Sequence, residues 1–172
     1  QREGSASDQG RASMKILVVS DTHGRDSGLE RAVELERPFD MLIHCGDVEG
    51  REDYIEVLAE CPCCIVSGNN DFFSDLPREE EITIAGTRIL VTHGHYYGVS
   101  MDLSGILDEA RSRNLQGVFF GHTHRPLLKM KDGLLLLNPG SLAYPRQPGR
   151  KPSYAVLTAD DRKGIRGEIR YL

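Results

Sequence analysis

Five short apolar runs in this chain each stop at a motif combining Gly with Asp, Asn or His. Lys15 to Ser20 (KILVVS) stops at Asp21-Thr22-His23-Gly24, and Asp40 to Cys45 (DMLIHC) at Gly46-Asp47. Cys63 to Ser67 (CCIVS) stops at Gly68-Asn69-Asn70-Asp71, Thr87 to Thr92 at His93-Gly94-His95, and Gly117 to Phe120 at Gly121-His122-Thr123-His124. Short runs rich in β-branched residues and bounded by turn formers read as buried strands. Between the first three lie helical patterns, one carrying Leu29 and Val33 and closed by Pro38, the other spanning Tyr54 to Glu60. Strand, loop and helix in alternation predict a parallel sheet with right-handed crossovers.

The second half changes character. Glu81 to Ala85 and Thr87 to Thr92 flank Gly86, and Leu127 to Met130 and Leu134 to Leu137 flank Lys131-Asp132-Gly133, a strong hairpin signal. Tyr154 to Thr158 and Ile165 to Tyr171 flank Asp160 to Gly164 as a further hairpin, and Met101 to Arg113 reads as a helix. The fold class is therefore α/β, with helices outside and sheets packed inside. Residues 14–172 form one domain. Residues 1–13 are polar, without the apolar core of a secretory signal, and read as a disordered tail or cloning remnant ahead of a natural start at Met14.

In open α/β sheets ligands gather beyond the carboxyl ends of strands. If these strands are neighbours, their ends collect Asp21, Asp47, Asn69 and five of the six histidines, which chance scatter would not do. Carboxylate oxygen with imidazole nitrogen suits hard and borderline divalent cations. Residues two apart on a strand point to one side, so Asp21 and His23 can share an ion. Beyond a strand end direction is freer, so His122 and His124 can face different ions. His44, inside a buried run, reads as a hydrogen-bonded core residue.

Taken together and in order, these motifs, with Asn138-Pro139-Gly140-Ser141, resemble the calcineurin-like metallophosphoesterase family, nearest to its small YfcE-type bacterial and archaeal phosphodiesterases. The resemblance covers nearly all the chain after Met14. It implies a four-layer fold of two mixed β-sheets packed face to face and flanked by helices, and two divalent metal ions, Mn first, with Ni, Fe, Co or Zn as alternatives. One ion would take Asp21, His23 and His124, the other Asn69, His93 and His122, and Asp47 would bridge them. Phosphodiesters would be hydrolysed by a hydroxide held between the ions, with Asp47, Asn69 and His95 as catalytic residues and Asn70 and His95 meeting the substrate. His95 serves equally as a polar support of the site.

One position departs from the family pattern. Where its fullest motif has a His thought to protonate the leaving group, this chain has Asn70. Asn is no general acid, so modest turnover and a preference for acidic leaving groups are expected. Asp71 reads as a loop cap or a catalytic residue. Arg125, Tyr144 and Arg146 fall where substrate could reach them, yet exposed loop arginines are ordinarily just solvated.

A net charge of -5 argues against stable nucleic-acid binding. No apolar run approaches the ~20 residues of a membrane span. Cys45, Cys61, Cys63 and Cys64 read as free thiols, Cys63 and Cys64 at the start of a buried strand, and the cytoplasm is the expected compartment. Competing readings are a phosphomonoesterase on small metabolites, a nuclease and a partner-binding scaffold of the same fold. Relatives self-associate, so a homo-oligomer is a further expectation.

Overall fold

The computed structural model describes residues 13–172. The expected tail lies outside the described residues except for Ser13, which opens the first strand. The elements are β1 (Ser13–Val19), α1 (Ser27–Glu36), β2 (Met41–His44), α2 (Glu52–Ala59), β3 (Cys63–Ile65), β4 (Glu79–Ile84) and β5 (Thr87–Thr92). A 3-10 turn (His95–Tyr97) leads to α3 (Ser104–Ser112), β6 (Gly117–Phe119), β7 (Leu127–Lys131), β8 (Leu134–Asn138), β9 (Ser153–Asp160) and β10 (Gly164–Tyr171).

Two five-stranded mixed sheets result, ordered β10-β9-β1-β2-β3 and β4-β5-β6-β8-β7. β1, β2 and β3 run parallel, as do β5, β6 and β8, while hairpins add the antiparallel strands. The side-chain period of two explains why the apolar runs do not alternate with polar residues. In β1, Ile16 and Val18 point into a core shared with Ile43, Ile89, Val91, Phe119 and Leu137 of both sheets. Leu17 and Val19 point outward, onto Leu29 and Val33 of α1 and Ile55 of α2. The second sheet repeats this arrangement, with Leu90, Val118 and Leu136 covered by Ile106, Leu107 and Ala110 of α3. Both faces of each central strand are buried, giving four layers. Among the described residues no helix is long and apolar enough to cross a membrane.

Several boundaries move from their sequence-based positions. α3 begins at Ser104 and not at Met101, because Oδ1 of Asp102 accepts from the Ser104 amide (2.9 Å) and hydroxyl (2.6 Å) and closes a turn there. α2 ends one residue early, where Glu60 takes a left-handed φ of 55°. The 3-10 turn after His93 had no periodic signal.

Glu36, the last residue of α1, ties the helix to three strands. It is 3% exposed, and its carboxylate accepts from the Tyr154 hydroxyl (2.6 Å) and the Arg170 guanidinium (2.5 Å), with Lys15 Nζ at 3.2 Å. Burial alone would raise its pKa, but these three donors hold it below the ordinary 4.5. Its stabilising effect is therefore complete above the unfolded-state pKa and disappears as pH falls through the lower folded value. Removal of this carboxylate leaves the buried Tyr154 hydroxyl unpaired while Lys15 and Arg170 can turn to solvent, a cost of about 2 kcal/mol. Glu36→Ala is expected to lower the urea midpoint at pH 7 accordingly, and to flatten the decline of that midpoint below pH ~4.5 seen in the parent.

Candidate metal centre

The loops that follow β1, β2, β3, β5 and β6 meet at one edge of the two sheets and carry every candidate ligand. Five of those residues sit in the left-handed region: Asp21 (φ 53°), His23 (50°), Asp47 (62°), His122 (71°) and His124 (59°). Such conformations are uncommon outside glycine and persist where surrounding bonds over-determine them. Here the Asp21 amide donates to Gly46 O (3.0 Å) and the His23 amide to Asp47 O (2.9 Å). Asp71 supplies the central knot. Its carboxylate accepts from the amides of Asp47 (2.8 Å), Val48 (3.3 Å), Glu49 (2.7 Å) and Gly68 (2.7 Å), which is the loop-capping role.

Two groups of side chains offer converging ligand atoms: Asp21, His23 and His124, and Asp21, Asp47 and His93. Oδ1 of Asp21 lies 3.2 Å from His124 Nε2, 3.6 Å from His23 Nε2 and 3.7 Å from His93 Nε2. Oδ2 of Asp47 lies 3.3 Å from His93 Nε2 and 3.6 Å from His23 Nε2. The other Asp21 oxygen is already engaged, accepting from Ser20 Oγ (2.6 Å) and the His122 amide (3.1 Å).

The tautomers follow from the partners. His93 Nδ1 faces the Cys45 carbonyl at 2.8 Å, and His124 Nδ1 faces the Tyr144 carbonyl at 2.7 Å. A carbonyl only accepts, so both protons sit on Nδ1 and both Nε2 lone pairs point into the cluster. Buried His93 Nε2 and Asp21 Oδ1 have no hydrogen-bond partner. Burial would raise the pKa of Asp21, yet the imidazoles of His124, His23 and His93 beside it hold it far below the carboxylate range. Asp47 is likewise lowered against burial, with His93 as its main partner. The imidazoles respond in the opposite sense. His23 is raised by the adjacent Asp21 carboxylate, and His93 is raised, against burial, by Asp47 and Asp21. The carboxylates and imidazoles stabilise each other's charged forms, and the buried Asp21 Oδ1 and His93 Nε2 left without a partner are acceptor atoms that divalent cations would satisfy. The residues fit two ions.

The remaining expected residues stand around this cluster. Asn69 is exposed, and its Oδ1 lies 3.2 Å from Nδ1 of His122, whose ring centroid is 5.1 Å from that of His93. His95 sits 5.4 Å from His93, with a buried Nδ1 that has no partner, and burial lowers its pKa, as do His93 and His122. Asn70 turns inward. Its amide and Nδ2 donate to the two oxygens of Asp47 (2.9 and 3.0 Å). His44 is wholly buried; Nδ1 accepts from the Gly46 amide (3.1 Å), so Nε2–H donates to Thr22 Oγ1 (2.9 Å), and burial lowers its pKa to about 4. Glu49, unremarked in the sequence, places Oε1 3.5 Å from His23 Nδ1; its position two residues past Asp47 is the one signal it gave.

Close approach makes Gly68 indispensable. A Cβ there would overlap Oδ1 of Asp47 and stand 2.6 Å from its amide nitrogen. Gly68→Ala is expected to weaken Mn binding, read by calorimetry, by about 10- to 100-fold, the range for disturbed ligand support, with the far-UV spectrum unchanged.

The calcineurin-like phosphoesterase superfamily domain matches residues 14–162. The chain belongs to the calcineurin-like metallophosphoesterases. It is 36% identical over 151 residues to the probable metallophosphoesterase YsnB of Bacillus subtilis, covering 86% of each chain. It is 25% identical over 172 residues to the phosphodiesterase YfcE of Escherichia coli, covering 86% of this chain and 89% of that one. The crystal structure of a conserved protein of Streptococcus pneumoniae superimposes with a TM-score of 0.76 at 27% identity, covering 92% of this chain and 99% of that one. The two facing mixed sheets are thus the family's fold, and the two carboxylate–imidazole groups are the metal-site candidates of a metallophosphoesterase.

Proposed function

We propose that this metallophosphoesterase hydrolyses small phosphodiesters at a dinuclear site. The observation that carries this reading is the pair of Nε2 lone pairs on His93 and His124, fixed by the Cys45 and Tyr144 carbonyls and aimed at the Asp21 and Asp47 carboxylates. Asp21, His23 and His124 would hold one ion and Asn69, His93 and His122 the other, with Asp47 shared between them. The oxygen and nitrogen donors suit Mn, Fe, Co, Ni or Zn, and the family resemblance puts Mn first. When bound, such ions acidify water toward hydroxide and offset charge on the phosphate oxygens.

The chain's own groups do the positioning. Asn70 holds both oxygens of Asp47 in a fixed plane, and Asp71 fixes the backbone beneath them. His95, partly exposed and unpaired at Nδ1, is placed to hydrogen-bond a phosphate oxygen. Asn70 offers no titratable proton to a departing alkoxide, which favours leaving groups stable as anions. The free thiols at Cys45, Cys61, Cys63 and Cys64 suit a reducing compartment such as the cytoplasm. The acidic chain suits small substrates in preference to nucleic acid. A scaffold would not need the full ligand set that stands here.

Steady-state hydrolysis of bis(p-nitrophenyl) phosphate and p-nitrophenyl phosphate by the Mn-loaded protein tests the assignment. The diester is expected to have the higher kcat/KM. A higher value for the monoester would reassign the chain to phosphomonoesters, and equal inertness toward both would favour the scaffold.

A further inference from the structure

Beside the metal centre, on the His124 side, lies a recess of roughly 610 Å³ whose walls include His23, His124, Tyr144, Arg125, Arg146 and Arg150. We propose that this recess binds a second, terminal phosphate of the substrate, so that the preferred phosphodiester carries an extra dianionic group; the inference rests on the phosphodiesterase reading above.

Three features lead there. First, Arg125, Arg146 and Arg150 are exposed and form no ion pair among the described residues, and all three line one recess whose walls carry no carboxylate. In a chain of net charge -5, three guanidiniums left free around one recess are a local excess of positive charge. Second, the loop that carries two of them is bonded to a candidate ligand. The Arg146 amide donates to His124 O (3.1 Å), and the Tyr144 carbonyl accepts from His124 Nδ1 (2.7 Å). The arginines are thus held in register with the reacting phosphate rather than on an independent loop. Third, Arg25 stacks on Tyr144 of the same wall, its guanidinium carbon 4.8 Å from the ring centroid. A planar guanidinium pairs with phosphate oxygens through two parallel N–H bonds, and several together favour a dianion over a single carboxylate. On the opposite side of the centre, Arg78 is stacked on Tyr96 at 4.3 Å, so that groove offers an aromatic wall with one cation.

Calorimetric titration of the Mn-loaded protein with thymidine 3′,5′-bisphosphate and thymidine 5′-monophosphate tests this, alongside hydrolysis of thymidine 5′-(p-nitrophenyl phosphate) with and without a 3′-phosphate. The extra phosphate is expected to tighten binding and raise kcat/KM about tenfold or more, with the gain shrinking as salt is raised. The triple variant Arg125→Gln/Arg146→Gln/Arg150→Gln should bring both ratios close to one. Arg166→Gln, which removes one charge from β10 in register with Thr158 and the start of β1, should leave them intact. Equal affinity for the two nucleotides in the parent would overturn the proposal. So would a gain that survives in the triple variant, or one lost only with Arg78→Gln. Failure of both nitrophenyl diesters to turn over would count against the phosphodiesterase reading, while the nucleotide titration still decides the recess.

Discussion

An Asp47→Asn variant is expected to lose about 10³-fold or more in metal-dependent kcat/KM on bis(p-nitrophenyl) phosphate, since several kcal/mol of charge stabilisation depend on the ions it helps to hold. Asp47 is 1% exposed, and its Oδ2 faces both His93 and His23, one imidazole from each of the two proposed ligand sets. An amide there supplies one oxygen, no negative charge, and an N–H group opposed to the two donors of Asn70. Oxygen coordination and charge balance fail together. Removing a buried carboxylate that the fold stabilises as an anion also costs stability, so the variant's melting temperature without metal is expected to fall. Its loss of the Mn-induced rise in melting temperature is the second readout. A variant that bound two Mn with parental affinity and kept its activity would remove Asp47 from the centre.

Replacing Asn70 with His should act in the opposite direction, and selectively. In the parent, Asn70 Nδ2 donates to Asp47, and the side chain carries no titratable proton for a leaving oxygen. A positioned general acid contributes about 10²- to 10⁴-fold where the leaving group needs a proton. Asn70→His is therefore expected to raise kcat on methyl p-nitrophenyl phosphate little, because nitrophenolate leaves unaided, but to raise hydrolysis of dialkyl diesters by about 10²-fold. The dependence of rate on leaving-group pKa becomes shallower, and the alkyl rate gains a descending limb at alkaline pH as the new imidazolium deprotonates. A uniform change across leaving groups would mean that residue 70 acts only by steadying Asp47.

The strand ends could be located from the sequence because buried central strands leave long apolar runs, and the polar residues that break them stand out. Asp21, Asp47 and the paired histidines were visible for that reason, as was the Asp132-Gly133 hairpin, which adopts the left-handed pair its residues favour. What pattern could not show are contacts between distant backbone groups. The carbonyls of Cys45 and Tyr144 that fix the His93 and His124 tautomers carry no residue-type signature, because any amino acid supplies a carbonyl. Asp71 was legible as a cap but not as the acceptor for four amides. Asn70, expected to face substrate, is bonded to Asp47, a choice set by loop geometry and not by side-chain chemistry. The start of α3 was lost for a local reason, since Asp102 closes a turn where apolar spacing alone would continue the helix.

Two ions are expected to act together at this centre, and Mn titration of the metal-stripped protein is the most direct test. Bound Mn per chain and the rate of bis(p-nitrophenyl) phosphate hydrolysis would be followed in the same samples. Two equivalents should bind, with activity low after the first and rising with the second. Full activity at one equivalent, or hydrolysis undiminished in the presence of a chelator, would contradict a dinuclear centre built from Asp21, His23, Asp47, Asn69, His93, His122 and His124.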